Sequence, residues 1–171
     1  MRKTKYVTFC ALMAALSVVI LWLGSLLDIF DITAVIVTSF FVLIAREEMG
    51  YKSIAIYVVT ALIALFIIPN KLVAIEYAII SIYPVFKPLI DKQQVIVKWL
   101  IRLVYDLAAA LTIVLVMKIF TPDSPMYWDI IFACGFILIF FLYDILLFRF
   151  IMYYRFKLRN KLRIDKFFNQ N

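Results

Sequence analysis

Six stretches of this chain are apolar almost without interruption: residues 7–27, 32–45, 53–68, 72–90, 95–120 and 130–154. Short clusters of charge, Pro and Asn separate them. Helices of such runs are hydrophobic on every face, and ~20 residues at ~1.5 Å rise cover the ~30 Å hydrocarbon layer of a bilayer. The first, fifth and sixth runs reach that length. The second and third are shorter and admit another reading, a single re-entrant hairpin. Energy separates the two, because a hairpin would hold Arg46, Glu47, Glu48 and Lys52 at membrane depth, at ~2.5–3.5 kcal/mol each. Two short complete spans avoid that cost, and they are tolerated where neighbouring protein shields their ends or the bilayer thins. The expected fold is an all-α integral membrane bundle of six transmembrane helices, a single domain over residues 1–171 with a basic tail at 155–171.

Composition strengthens this picture. Of 171 residues 67% are apolar, 17% aromatic and only 17% charged, with mean hydropathy +1.04, and a water-soluble fold cannot bury that much hydrocarbon. Arg2, Lys3 and Lys5 before the first run imitate a secretory signal. The run is too long for a signal core and no A-x-A site follows, so it is expected to remain as an anchor.

The formal charge of +7 is informative through its placement. All of the 18 Lys and Arg residues except Lys71 and Lys118 fall on one side of the six-span arrangement, while Asp28, Asp31, Asp123 and Asp129 gather on the other. Basic residues are retained in the cytoplasm, so both termini are expected inside. The charges lie between apolar runs instead of alternating with exposed aromatics, which argues against nucleic acid as a partner. From Arg155 onward, basic residues alternate with Phe156, Leu158, Leu162, Ile164, Phe167 and Phe168. Such a tail suits the anionic inner leaflet, and serves equally as a plain orientation anchor.

Ionisable groups inside the runs carry the chemical information, since hydrocarbon makes them costly unless a partner or water meets them. Arg102 and Asp106 are four apart and share a helix face, and Asp144 lies at a depth close to that of Arg102. A bridge from Arg102 to Asp144 would bury both without an unpaired charge, leaving Asp106 as a candidate ligand or proton-linked group. Glu76, Tyr83 and Lys87 form one stripe of the fourth run, which Pro84 and Pro88 then disrupt. Glu76, Tyr83, Arg102, Asp106 and Asp144 are the candidate solute-binding residues, and snorkelling of Glu76 to water is the plain alternative. Ala11 and Ala15 make a small-xxx-small face on the first run, suited to close approach of another helix. Cys10 and Cys134 sit in apolar runs, without CxxC spacing or any His, and are expected to be packing residues, with no metal site.

The basic N-terminus, Ala11-Leu-Met-Ala14-Ala15 in the first span, six spans and a basic C-terminus resemble the substrate-binding S component of energy-coupling factor (ECF) vitamin transporters. The resemblance covers most of the chain as a pattern. It implies a multi-pass protein of a bacterial cell membrane that takes a vitamin-like solute from outside. By the same resemblance Ala11 and Ala15 would dock on a transmembrane coupling subunit, and Glu76 and Asp106 would lie near the ligand chamber. The connection from Asp28 to Asp31 is shorter than that family's lid, and only Gly24, Gly50 and Gly135 are present. Small bacterial membrane proteins such as the cell-shape scaffold family MreD share the length and helix count.

The leading function from these readings is a transport component that needs no cofactor and relies on separate ATPase subunits, since no Walker A loop is present. The alternative is a membrane scaffold without a small ligand. A polar, enclosed outer cavity favours the first and a core filled by apolar side chains the second. An enzyme is not expected, because neither a nucleophile constellation nor a metal cluster is visible.

Overall fold

The computed structural model describes residues 2–27, 31–120, 122 and 125–159. Asp28, Asp123 and the tail from residue 160 lie outside these, as does most of the short connection compared with a lid. The described residues are all helical apart from turns: α1 (Arg2–Leu26), α2 (Asp31–Met49), α3 (Ser53–Ile67), α4 (Lys71–Ile80), α5 (Tyr83–Ile90), α6 (Val95–Phe120) and α7 (Met126–Tyr153). Among the described residues, five helical stretches are long and apolar enough to cross a membrane: Thr4–Leu26, Asp31–Ile67, Lys71–Ile90, Val95–Ile119 and Met126–Leu158.

The stretch Asp31–Ile67 contains both α2 and α3, joined by the 3-10 turn Gly50–Lys52. A straight helix of its 37 residues would set its ends about 55 Å apart. Instead the Asn70 side chain, just beyond α3, donates to Asp31 at the start of α2 at 3.2 Å, so the two helices run antiparallel. Gly50 makes the reversal possible, with a φ of 62° that favours glycine. Arg46, Glu47 and Glu48 belong to the last turn of α2, which extends four residues past the predicted apolar run.

At the other end of this hairpin Lys71 donates to the carbonyls of Leu65 (2.8 Å) and Ile68 (2.9 Å), closing α3. Asn70 accepts from Leu72 N–H at 3.1 Å and caps α4. The short polar linker after α3 thus completes one helix and starts the next.

Proline accounts for the separation of α4 from α5. The ring of Pro84 opposes the carbonyl four residues back, that of Ile80, where α4 ends. The interruption falls at Ser81 and Ile82, ahead of both prolines, while Pro88 is accommodated inside α5. Glu76, Tyr83 and Lys87 therefore do not share one unbroken helix.

The chain divides into two compact units, residues 1–85 with 147–171, and Phe86–Leu146. In the first, Leu21, Val35, Val42, Ile56, Val73 and Tyr77 pack inward from α1 to α4 with little or no exposure. Small and hydroxyl residues fill the remaining positions, among them Ala14, Ala45, Ala64, Ala74, Ser17 and Thr38. Such residues let membrane helices approach closely where lipid supplies no hydrophobic drive. Ser17 and Thr38 return their hydroxyl protons to carbonyls of their own helices, at 2.8 Å to Met13 and 2.9 Å to Ala34.

In the second unit α6 and α7 pair antiparallel. Arg102 meets Asp144 near one end and Lys118 meets Asp129 near the other, with Tyr105 and Phe140 rings 5.3 Å apart between them. Large apolar side chains such as Leu103, Leu111 and Leu138 point outward. Cys134 is also outward on α7, contrary to the expected interior position, because inward positions of α7 go to Phe140 and Tyr143. Cys10 packs as expected, its thiol 3.8 Å from Met49 Sδ.

Candidate functional site

The densest chemistry lies in the second unit. The end of α5 supplies Lys87, the following turn supplies Asp91, α6 supplies Lys98 and Arg102, and α7 supplies Asp144. Helical spacing prepares this cluster, since Lys87 and Asp91, like Lys98 and Arg102, are four residues apart and share a face.

Arg102 spans both carboxylates, with Nη2 2.8 Å from Asp91 Oδ1 and Nη1 2.9 Å from Asp144 Oδ2. Lys87 does the same, 3.6 Å from Asp91 Oδ2 and hydrogen-bonded to Asp144 Oδ1. Lys98 completes the cluster at 2.8 Å from Asp91 Oδ1. Three cations thus share two carboxylates. Lys87 is only 1% exposed, which for an ammonium is tolerable only with such partners. Arg102 also stacks its guanidinium over Trp99, 5.6 Å from the ring centroid.

Asp91 lies between α5 and α6, outside the spanning stretches. Burial is the largest single influence on its carboxyl and opposes ionisation. The Lys98 hydrogen bond and the charges of Lys87, Lys98 and Arg102 together outweigh it and hold the carboxyl below the ordinary range. A depressed folded value means stability that is present above the unfolded value of ~3.9 and is lost as pH falls through the lower folded value. Asp91→Asn is expected to be less stable at neutral pH yet to show a flatter acid limb below about pH 4. Thermal melts across that range check this, and identical acid limbs would count against the cluster's ionisation.

The structure brings together two of the sequence-predicted residues, Arg102 and Asp144, in the bridge anticipated from their depth. Asp106 stands one turn further along α6, with Oδ1 enclosed and lacking a hydrogen-bond partner among the described residues. Glu76 and Tyr83 belong to the first unit: Glu76 is within electrostatic reach of Asp31, and Tyr83 is fully buried. Lys87 and Asp91 were not anticipated as members of the network. Their four-residue spacing beside a proline-broken run was the available signal.

A second charged group closes the first unit at the α2–α3 turn. Arg155 forks onto Glu47 with two 2.8 Å bonds, Tyr154 donates to Glu48 at 2.8 Å, and Arg159 lies 3.2 Å from the same carboxylate. The π-helical turn Tyr154–Leu158 supplies Tyr154 and Arg155. Stacked Phe40 and Phe150 rings, 4.3 Å apart, hold the helices beside it. On α1, Ala14 is buried while Ala11 and Ala15 face outward. Compared with family models, with curated proteins and with solved structures, the chain matches none of them.

Proposed function

We propose that this chain is a non-catalytic subunit of a cell-membrane assembly that crosses the bilayer six times, keeps both termini in the cytoplasm and docks on a partner through α1. The six crossings are supported by the antiparallel course of α2 and α3, whose charged turn is at the opposite end from Asp31 and Asn70. The orientation is supported by the one-sided distribution of Lys and Arg.

The observation that carries the docking role is the outward position of Ala11 and Ala15. Beside exposed Leu12, Leu16 and Val19, side chains this small let a partner helix approach closely, which lipid gives no hydrophobic drive to replace. Of the two functions open to such a subunit, the geometry best supports a scaffold or interaction protein. Arg102 and Asp144 neutralise each other, and the core of α1 to α4 is packed by apolar side chains, small hydroxyl residues and Tyr77. The solute-capturing transport subunit is the second reading, favoured by the polar group of Asp31, Asn70 and Glu76 at the end of α4 nearer its start.

Affinity purification from native membranes tests the docking role. The double variant Ala11→Leu/Ala15→Leu is expected to keep the wild-type melting profile and lose its co-purifying membrane partner. If it unfolds instead, the face is internal and the proposal fails. Mass spectrometry of small molecules released from the wild-type complex separates the two functions, since only the transport subunit retains a solute.

A further inference from the structure

The outer surface of the second unit contains a groove of about 370 Å³ between α6 and α7. Leu107, Ala110 and Val114 line it from α6, and Ile130, Ala133 and Ile137 from α7. It exists because Ala110 and Ala133 are small where their neighbours are large, so the two helices leave space that neither fills. Its volume falls in the range of small-ligand sites, ~300–1,000 Å³. Its lining excludes a polar occupant: apart from Asp129 at one end, every side chain is hydrocarbon or thioether.

That end has a different chemistry. Asp129 is held by Lys118 at 2.8 Å, and the Lys118 side chain remains 37% exposed. Tyr127 and Trp128 are exposed beside it, the residue types that gather at headgroup depth. From Lys118 to Leu107 is 11 residues of α6, about 16 Å, close to the ~15 Å depth of one leaflet's hydrocarbon. A cation and aromatic rings at the surface, followed by one leaflet's depth of open apolar groove, match a phospholipid in the order of its parts.

We propose that this groove is a phospholipid site, with one acyl chain along Ala110 and Ala133 and the phosphate at Lys118. The assignment needs only the membrane location of the chain and holds for either function above. A hydrocarbon chain lying there recovers the dispersion contacts that the lining would otherwise lack, and the lysine ammonium can meet the phosphate without leaving Asp129.

The test is lipid retention. Protein reconstituted in vesicles of phosphatidylethanolamine and phosphatidylglycerol is extracted into detergent, washed and weighed intact by mass spectrometry. The wild type should carry about one phospholipid per chain, and Ala133→Phe, which fills the groove, should lower the retained fraction about tenfold. Ala108→Phe makes the same change at an exposed position of α6 outside the groove and should retain lipid as the wild type does. Ala110→Val is the milder filling variant should Ala133→Phe misfold, and is expected to reduce retention as well. A wild type that carries no phospholipid, or equal losses in the groove and control variants, overturns the proposal.

Discussion

Lys87→Met is expected to lower the stability of the second unit by about 3–5 kcal/mol, the cost of removing one partner from a buried ion pair. Lys87 is the least exposed of the cluster's cations and binds both carboxylates, so its loss withdraws a cation from Asp91 and from Asp144, itself only 13% exposed. Arg102→Leu should cost less, about 1–3 kcal/mol, because Lys87 still holds Asp144 and Lys98 still holds Asp91. Neutral polar contacts between membrane helices average ~0.6 kcal/mol in double-mutant cycles, so the Lys87 effect stands well clear of ordinary interhelical bonding. The double variant Lys87→Met/Asp144→Leu removes the opposed charges together and should recover much of the loss. Melting in detergent followed by tryptophan fluorescence measures all three, and a Lys87→Met protein that melts with the wild type would contradict the charge-sharing geometry.

Glu48→Lys should be comparably damaging in the first unit, again by about 3–5 kcal/mol. The Glu48 side chain is 5% exposed, accepts from the buried Tyr154 hydroxyl and faces Arg159. A lysine there removes the carboxylate that accepts from the hydroxyl and opposes the Arg159 guanidinium. By contrast Glu47→Ala should change stability by less than about 1 kcal/mol, since its partner Arg155 is half exposed and water can replace the carboxylate. Glu48→Lys/Arg159→Glu restores opposite charges and should regain part of the loss. The same melts decide it: equal effects at Glu47 and Glu48 would mean that the second acid has no special place in the clasp.

The apolar runs were legible because they are hydrophobic on every face, a pattern that a lipid environment explains. The bridge of Arg102 with Asp144 was legible too, since two opposite charges at one depth of hydrocarbon have few alternatives to each other. Lys87 and Asp91 were not, because along the chain they look like interfacial charges at the end of a span. What joins them to the cluster is the meeting of α5, the turn after it, α6 and α7, a tertiary event with no local trace beyond four-residue spacing. The clasp at Glu47 and Glu48 was hidden for a similar reason: its basic partners lie more than a hundred residues later. Cys134 was misplaced because an apolar run in a membrane protein does not reveal which face meets lipid and which meets protein.

The proposed six crossings and cytoplasmic termini underlie the docking role. Cysteine accessibility in intact cells tests them most directly, in a background with Cys10 and Cys134 replaced by Ala. Cysteines at Pro69 and Met126 should react with a membrane-impermeant maleimide from outside, whereas cysteines at Tyr51 and Gln93 should react only after permeabilisation; labelling of the Tyr51→Cys protein from outside would rule out two separate crossings by α2 and α3.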